Sequence, residues 1–385
     1  MQDNSNKKGG VVENIQRPTS NKQTPPKSIQ IVKFLCQNTA NTAAQRNPPS
    51  EAKTDHVRLV TIGPSHYCEK VRWGFDLLEE QTNSTFYYTE EPHPPFFHTF
   101  FTVPLSKRTA SMVPMVVFPD NRVMVDSTQI LKQFCPFLYP DNAVPTAVDT
   151  MEELFDSKLG PAVRCLVYYH YFAANDNEPL AKLLTKFTVN PIETMLFHKI
   201  LQRKDNPIQK GMLKAMNITQ ENAQLSEQIL VDIFDQVSQT LETNGGDYLL
   251  YSDTITKTPS FTAADLTFAA LASPIVMPKE LLCFNDRGKS TPPHLLQLSN
   301  TLRNTRAGQH VLTMYHRHRF SFHANTTTKK IISCCIPKSP MSDLRVVIPK
   351  CASTKRVPWR IASSAAIMLG AVGAGVSMYS KRSKL

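Results

Sequence analysis

The spacing of hydrophobic residues predicts short strands in the first part of the chain. Val57–Gly63 and Ser84–Glu90 are rich in β-branched and aromatic residues, and Ser65–Glu80 between them has apolar residues at helical spacing. Two further β-type runs, Pro114–Phe118 and Arg122–Val125, flank the turn sequence PDN and precede a short helical stretch, STQILKQF. The predicted order is strand, helix, strand, a loop or helix, two strands and a helix. That order indicates an α/β domain of the thioredoxin-like type at residues 55–140.

The period of the apolar residues then changes, and residues 141–320 read as helical almost throughout. One long stripe runs along Leu225, Ile229, Ile233, Val237 and Leu241. Further on, Thr262 stands at a predicted N-cap with Asp265 at the N3 position, which is the spacing of a capping box. We assign Asp265 a structural role there. An all-α domain is therefore expected to follow the α/β domain.

Residues 1–54 are rich in Asn, Gln, Thr, Pro and Lys. They predict a disordered basic segment, because so few apolar side chains cannot offset the chain entropy. An organelle transit peptide is the alternative, although Asp3, Glu13 and the shortage of Arg disfavour it. The first ten residues contain no apolar run, so a secretory signal is not expected. Residues 321–360 are mostly irregular and polar and are interpreted as a linker.

Residues 361–379 form an uncharged apolar run of 19 residues. As a helix this run is about 28 Å long, close to the thickness of the hydrocarbon core of a bilayer. Basic residues flank it on both sides, and Trp359 and Tyr379 stand at the two expected interfaces. We interpret it as a transmembrane tail anchor followed by a short basic tail, residues 380–385, with the protein core facing the cytosol. A buried helix of small residues is the alternative.

The expected localisation is therefore a membrane. The last three residues, Ser383-Lys384-Leu385, match the peroxisomal address. Since basic tails also follow tail anchors in general, the mitochondrial outer membrane and the peroxisome are both expected as possible localisations.

The formal net charge of +11 belongs to the two ends of the chain. Residues 1–54 contain 8 Lys/Arg against 3 Asp/Glu, and residues 351–385 contain 6 Lys/Arg and no acidic residue. The middle of the chain is thus formally neutral, and we expect no nucleic-acid partner. The 8 cysteines show no framework spacing, which indicates free thiols in a reducing compartment.

Five motifs in order resemble the glutathione S-transferase superfamily. They are PSHYCEKVRW, SMVPMVVF, VDSTQIL, PSFTAADLTFAALASP and TRAGQHVLTMYHRHR, and they extend over Val57–Arg319. The resemblance implies a thioredoxin-like glutathione-binding domain followed by an all-helical domain. The chain departs from the family in both tails, in a long loop at residues 91–110 and in extra length around residues 175–220.

Ser65 stands where the first predicted strand passes into a helix, with Cys68 three residues later. In a thiol-redox protein this spacing would hold a Cys-x-x-Cys pair, but the first position is serine. The resemblance implies that Ser65 is catalytic and donates a hydrogen bond to the glutathione thiolate at the helix N-terminus. A plain N-cap is the alternative. We interpret Cys68 as a packing residue, with a mixed disulfide as its alternative, and expect Lys70 and Arg72 on an exposed helix face.

The other expected glutathione contacts also come from the resemblance. It implies a cis peptide bond between Val113 and Pro114, with the backbone of Val113 paired to the cysteinyl backbone of glutathione. It implies that Asp126 and Ser127 bind the γ-glutamyl end, although Asp stands where the family usually has Glu. An edge-strand proline and an ordinary N-cap are the respective alternatives.

Tyr168 and Tyr169 lie on the first helix of the second part, where relatives have the wall of the electrophile pocket. We expect them to line such a pocket, core packing being the alternative. A cluster of histidines and cysteines near the end of the motif region fits no zinc spacing, so no metal is expected; it comprises His316, His318, His323, Cys334 and Cys335.

Together these residues predict a glutathione transferase-like protein at a membrane surface. It would conjugate or reduce hydrophobic electrophiles with glutathione as co-substrate. The alternative is a non-catalytic scaffold or organelle-membrane factor that resembles the metaxins or ganglioside-induced differentiation-associated protein. The sequence leaves open whether the chain is catalytic and whether it forms a homodimer.

Overall fold

The computed structural model describes residues 57–319 except 82–85, 87, 109, 140–144, 175, 254–257, 282 and 284–288. The predicted N-terminal segment at 1–54, the linker at 321–360 and the membrane span at 361–379 lie outside the described residues. Within the described ranges, no helix combines the length and the apolar character that crossing a bilayer requires.

The first part is a sheet flanked by helices. In the described residues its elements are β1 (Val57–Thr61), α1 (His66–Gln81), β2 (Tyr88–Pro92), α2 (Thr99–Leu105), β3 (Met115–Val117), β4 (Val123–Val125) and α3 (Ser127–Phe134). The strand order is β2-β1-β3-β4. Strand β1 runs parallel to β2 and antiparallel to β3, and β3 runs antiparallel to β4. This is the thioredoxin-like layout that the sequence predicts.

Both faces of the sheet are covered, because successive side chains of β1 point to opposite sides. Leu59 packs with Val71 and Phe75 of α1 on one face. Val60 packs with Met115 of β3 on the other. The central strand is thereby held in place, and its carboxyl end leads through a tight turn into α1.

The second part is built of helices with one short hairpin. Its described elements are α4 (Pro145–Leu154), a π-helical turn (Phe155–Leu159), α5 (Gly160–Ala173), α6 (Glu178–Thr185), α7 (Pro191–Leu201), α8 (Pro207–Ala215), α9 (Gln220–Asn244), β5 (Leu250–Asp253), β6 (Thr258–Ser260), α10 (Ala263–Val276), α11 (Pro293–Arg303), α12 (Arg306–Met314) and a second π-helical turn (Tyr315–Arg319). Every residue of α10 is buried, so this helix is the centre of the helical core.

The predicted capping box at the start of α10 is confirmed. The hydroxyl oxygen of Thr262 accepts the backbone N–H of Ala264 at 3.3 Å. The carboxylate of Asp265 accepts the backbone N–H of Thr262 at 3.0 Å and that of Leu249 at 2.8 Å. Asp265 is fully buried, and the bonds from Ala264 and Thr262 satisfy backbone donors that the start of α10 would otherwise leave unpaired. The bond from Leu249 joins this helix start to the residue before β5.

Lys70 and Arg72 are buried, so the prediction that they lie on an exposed helix face is wrong. The ammonium group of Lys70 donates to Asp156 at 2.9 Å and lies 3.1 Å from Glu152. The guanidinium group of Arg72 donates to Glu90 at 2.7 Å. Because the sheet covers one side of α1 and α10 packs against the helix as well, ionic partners replace solvent there.

Three smaller features also differ from the sequence predictions. Strand β2 continues to Pro92, two residues beyond the predicted end at Glu90, and the predicted start at Ser84 lies outside the described residues. The hairpin of β5 and β6 interrupts the part predicted to be all-helical. Leu225, the first residue of the predicted stripe on α9, is 58% exposed. In this turn of the helix Ala223 and Ser226 are buried instead.

Candidate functional site

A cavity of about 470 Å³ opens between the sheet part and the helices α5, α6 and α8. Its wall contains most of the residues that the sequence singles out: Ser65, Val113, Pro114, Asp126, Ser127 and Tyr168. Tyr169 is not among the lining residues and packs partly buried against the helical core. Residues up to 103 positions apart in the chain thus meet at one site, at the end of the sheet from which α1 and α3 begin.

Ser65 is the residue before α1, and its hydroxyl oxygen accepts the backbone N–H of Cys68 at 3.4 Å. The predicted N-cap contact is therefore present. A hydroxyl group that accepts one hydrogen bond keeps its own proton, which it can donate to an anion in the cavity. The cap and the catalytic interpretation are compatible in this geometry.

The start of α1 is held against the start of α5. The ring of His66 donates through Nε2 to the carbonyl oxygen of Gly160 at 3.1 Å, and Tyr67 donates to the carbonyl oxygen of Asp156 at 2.9 Å. A Cβ at Gly160 would lie 2.2 Å from the Tyr67 hydroxyl oxygen, so only glycine permits this approach. The two contacts fix the position of Ser65 relative to the helical wall.

The peptide bond between Val113 and Pro114 is cis, as predicted. Both residues line the cavity directly before β3. The edge-strand alternative is wrong for Pro114, because β3 begins at Met115 and lies between β1 and β4.

Asp126 is the N-cap of α3 and has a positive φ of 79°. Its Oδ1 atom accepts the backbone N–H groups of Thr128 at 2.9 Å and Gln129 at 3.1 Å. Ser127 is 6% exposed, and its hydroxyl group has no hydrogen-bond partner among the described residues. The exposed Asp126 carboxylate and the Ser127 hydroxyl thus stand together at the cavity wall.

Charged and titratable groups surround this wall. Burial, together with the positive charge of Arg164, lowers the pKa of His66 to about 3, although the hydrogen bond to Gly160 acts in the opposite direction. Burial also lowers the pKa of His98 to about 4. Burial raises the pKa of Tyr168 to about 12, which Arg164 partly opposes. All three rings are therefore uncharged near neutral pH.

The cavity wall also contains lining residues that the sequence did not single out, and two groups of them matter for the ligand. Arg164 lies one helical turn before Tyr168 on α5, so the spacing that placed the tyrosine also placed the arginine on the same face. The apolar wall comes from α6 and α8, which occupy the extra length noted around residues 175–220; it includes Leu180, Leu183, Leu184, Met212 and Met216. No motif marks these side chains.

Cys68 is fully buried, and burial raises the pKa of its thiol. A protonated thiol without access to the cavity is a poor partner for a mixed disulfide, so the packing interpretation holds. The four described cysteines that are free, Cys68, Cys135, Cys165 and Cys283, are all buried.

The described residues include no group of three His, Cys, Asp or Glu side chains with metal-binding geometry. His318 instead shares a hydrogen bond of 2.9 Å with the Tyr248 hydroxyl and stacks on Phe261. His323, Cys334 and Cys335 lie outside the described part of the chain.

No protein-family model matches this chain, and no curated protein sequence matches it. Solved structures do. A glutathione S-transferase from Methylobacterium radiotolerans, in complex with glutathione sulfonate, is 16% identical, with a TM-score of 0.34 over 67% of this chain and 94% of that one. Ure2p in complex with glutathione is 12% identical, with a TM-score of 0.37 over 74% of this chain and 99% of that one.

Glutathione transferase F2 from Populus trichocarpa is 15% identical, with a TM-score of 0.35 over 67% of this chain and 98% of that one. Similarity at these identities and TM-scores does not carry an activity over to this chain. The chain is thus similar to solved glutathione transferase structures, and its sheet followed by helices is the order of parts that the sequence resemblance implies.

Proposed function

We propose that this chain binds glutathione in the cavity and transfers it to hydrophobic electrophiles, or uses it to reduce them, at a membrane surface. One observation carries the proposal: Ser65, Val113, Pro114, Asp126 and Ser127, singled out from separate motifs, line the same cavity. A volume of about 470 Å³ is within the usual range for sites that enclose a small molecule.

In this proposal the glutathione sulfur lies at Ser65. The hydroxyl group donates to the thiolate, and the first backbone N–H groups of α1 add the positive end of the helix dipole. Both effects favour the thiolate over the thiol, and the thiolate is the nucleophile. Attack on an electrophilic carbon forms the S–C bond and expels a leaving group or opens a double bond.

The two ends of glutathione have separate partners in the proposal. The backbone of Val113 pairs with the cysteinyl unit. The Ser127 hydroxyl group, which has no partner among the described residues, donates to the γ-glutamyl carboxylate. Asp126 accepts from the ammonium group through Oδ2, because Oδ1 is used by the backbone of α3.

The apolar end of the cavity would hold the electrophile. Val163 and Val167 of α5 face Leu184 of α6 and Met212 of α8 there, and all four side chains are at least nine-tenths buried. Tyr168 lies on the same wall, whereas Tyr169 does not. In this proposal Tyr168 forms part of the wall around the electrophile.

The membrane is part of the proposal because residues 361–379 have the length and flanks of a tail anchor. An anchor would hold the cavity near lipid-derived electrophiles, on a cytosolic face of the mitochondrial outer membrane or of the peroxisome. Deleting residues 361–385 from a fluorescent fusion should release it into the cytosol. Continued membrane retention would contradict the anchor.

A non-catalytic scaffold is the second candidate, and one observation favours it. Two of the three polar side chains on which the proposed binding depends already have a structural role, because Ser65 caps α1 and Asp126 caps α3. Their presence is therefore explained without a ligand.

Calorimetric titration of the full-length chain with glutathione separates the two candidates. We expect binding at millimolar concentrations or below, and weaker binding for Ser65→Ala and Asp126→Ala. Ser157→Ala and Asp235→Ala are matched controls, since both residues are exposed and outside the cavity wall. A folded wild-type chain that does not bind glutathione would rule out the transferase and leave the scaffold.

A further inference from the structure

Among the described residues of the cavity wall, one side chain is a permanent cation, and the proposed glutathione contacts do not use it. Arg164 on α5 lines the cavity and is half-buried. Among the described residues, its side chain has no ion pair and no hydrogen bond, whereas the buried Arg72 donates to Glu90 at 2.7 Å. A half-buried guanidinium group has lost part of its hydration, so it gains from an anionic partner.

The acidic residues of the same wall are already engaged. The carboxylate oxygens of Asp156 accept from the ammonium group of Lys70 at 3.2 and 2.9 Å. Oδ1 of Asp126 accepts two backbone N–H groups of α3. The neighbours His66, Tyr67 and Tyr168 are uncharged near neutral pH, because burial lowers the pKa of His66 and raises the pKa of both tyrosines. An anionic partner for Arg164 within the cavity would therefore have to come from a ligand.

The side chains around Arg164 indicate which class of anion would bind there. Val163 and Val167 flank it on α5, and Leu180, Leu184 and Met212 extend the apolar wall across α6 and α8. The helices α6 and α8 lie in the extra length around residues 175–220, by which this sequence departs from the family that it resembles. The resemblance therefore does not predict the apolar side chains that these two helices contribute. An arginine beside these apolar side chains suits a ligand with one carboxylate and a hydrocarbon chain.

We propose that Arg164 binds the carboxylate of an apolar acid whose hydrocarbon chain lies against α6 and α8. The class of second substrate is then an electrophilic fatty acid, a statement that rests on the proposed transferase function. For an unsaturated fatty acid with a conjugated carbonyl group, the glutathione sulfur bonds to the β-carbon. The C=C π electrons move to the α-carbon, which takes a proton from water, and no other reagent is needed.

Binding of the acid is testable without glutathione. Octanoate and methyl octanoate have the same acyl chain, but only octanoate can pair with a guanidinium group. We expect the full-length wild type to bind octanoate about tenfold or more tighter than the ester, the effect of a hydrogen bond to a charged group. Without a carboxylate site, the more hydrophobic ester would bind at least as well, and that result would overturn the proposal.

Variants locate the effect. Arg164→Gln should bring the acid-to-ester affinity ratio to about one, and Arg164→Lys, which keeps the charge but loses the planar fork, should give an intermediate ratio. Arg203→Gln is the control, because Arg203 is exposed and outside the cavity wall. An unchanged ratio in Arg164→Gln would contradict the proposal. If the variant instead lost affinity for glutathione and kept the ratio, Arg164 would serve glutathione, which also overturns it.

The outcome separates this inference from the proposed function. Selective octanoate binding without glutathione binding would support carboxylate recognition and reject the transferase. Glutathione binding with equal affinity for acid and ester would support the transferase and reject Arg164 as the determinant of its substrate.

Discussion

The ammonium group of Lys70 lies 2.9 Å from the Asp156 carboxylate and joins α1 to the π-helical turn before α5. Lys70 is fully buried, and the equally buried Glu152 lies 3.1 Å from the same nitrogen. Since Asp156 also lines the cavity, this contact connects the sheet part to the helical part at the wall of the candidate site.

Replacement of this lysine should therefore destabilise the protein strongly. In Lys70→Met the buried Glu152 loses its cationic partner, and breaking a buried ion pair typically costs about 3–5 kcal/mol. Urea unfolding followed by tryptophan fluorescence measures the change. Lys199→Met, on the exposed face of α7, should stay within about 0.5 kcal/mol of wild type. A loss below about 1 kcal/mol for Lys70→Met would mean that the ion pair is not needed for stability.

Acid should weaken the fold partly through His66. Its pKa is lowered from 6.5 to about 3 in the folded protein, so between these values the unfolded chain binds more protons than the folded one. Stability is therefore highest above pH 6.5 and falls as the pH decreases towards 3, by about 2 kcal/mol between pH 7.5 and 5 for this residue. His66→Gln retains a donor for the Gly160 carbonyl group but does not titrate. Its stability should fall less over the same interval, and equal slopes for both proteins would refute this assignment.

The Ser65 hydroxyl group should set the acidity of bound glutathione. A hydrogen bond to a charged group contributes about 1.5–3 kcal/mol, so Ser65→Ala should raise the pKa of the bound thiol by about one to two pH units. Titration of the thiolate's ultraviolet absorbance in the complex gives this value directly. Ser65→Thr keeps both the hydroxyl group and the cap, and should resemble wild type. Loss of the cap alone would lower stability by about 0.5–2 kcal/mol and leave the thiol unchanged.

The charge of Asp126 should distinguish glutathione from N-acetylglutathione, which lacks the ammonium group. Asp126→Asn keeps the cap on α3, because Asn caps as well as Asp and also tolerates the positive φ of 79°. We expect wild type to prefer glutathione about tenfold, and the variant to bind both compounds alike. Competition titrations measure both affinities. Asp235→Asn, exposed on α9, should keep the preference; a preference that survives in Asp126→Asn would remove Asp126 from the ammonium site.

The parts of this protein that the sequence predicts are those whose chemistry is local. Thr262 and Asp265 form their capping box within four residues, and Ser65 caps the helix that begins directly after it, because backbone donors at a helix start need a nearby acceptor. The order of strands and helices follows from hydrophobic period for the same reason. Resemblance of ordered motifs added Pro114 and Asp126 to the candidate site, and both line the cavity.

Tertiary structure decided what depends on contacts between distant segments. A lysine is usually exposed, and the sequence predicts that Lys70 is too. It is buried because Glu152 and Asp156, which follow 82 and 86 residues later, neutralise its charge in the interior. Gly160 has to be glycine because the hydroxyl group of Tyr67, 93 positions earlier in the chain, lies where a Cβ would be. No local sequence pattern predicts this contact. The sequence does not predict that Arg164 and the apolar side chains of α6 and α8 line the same cavity as Ser65. A cavity forms between surfaces that only the folded chain brings to face each other.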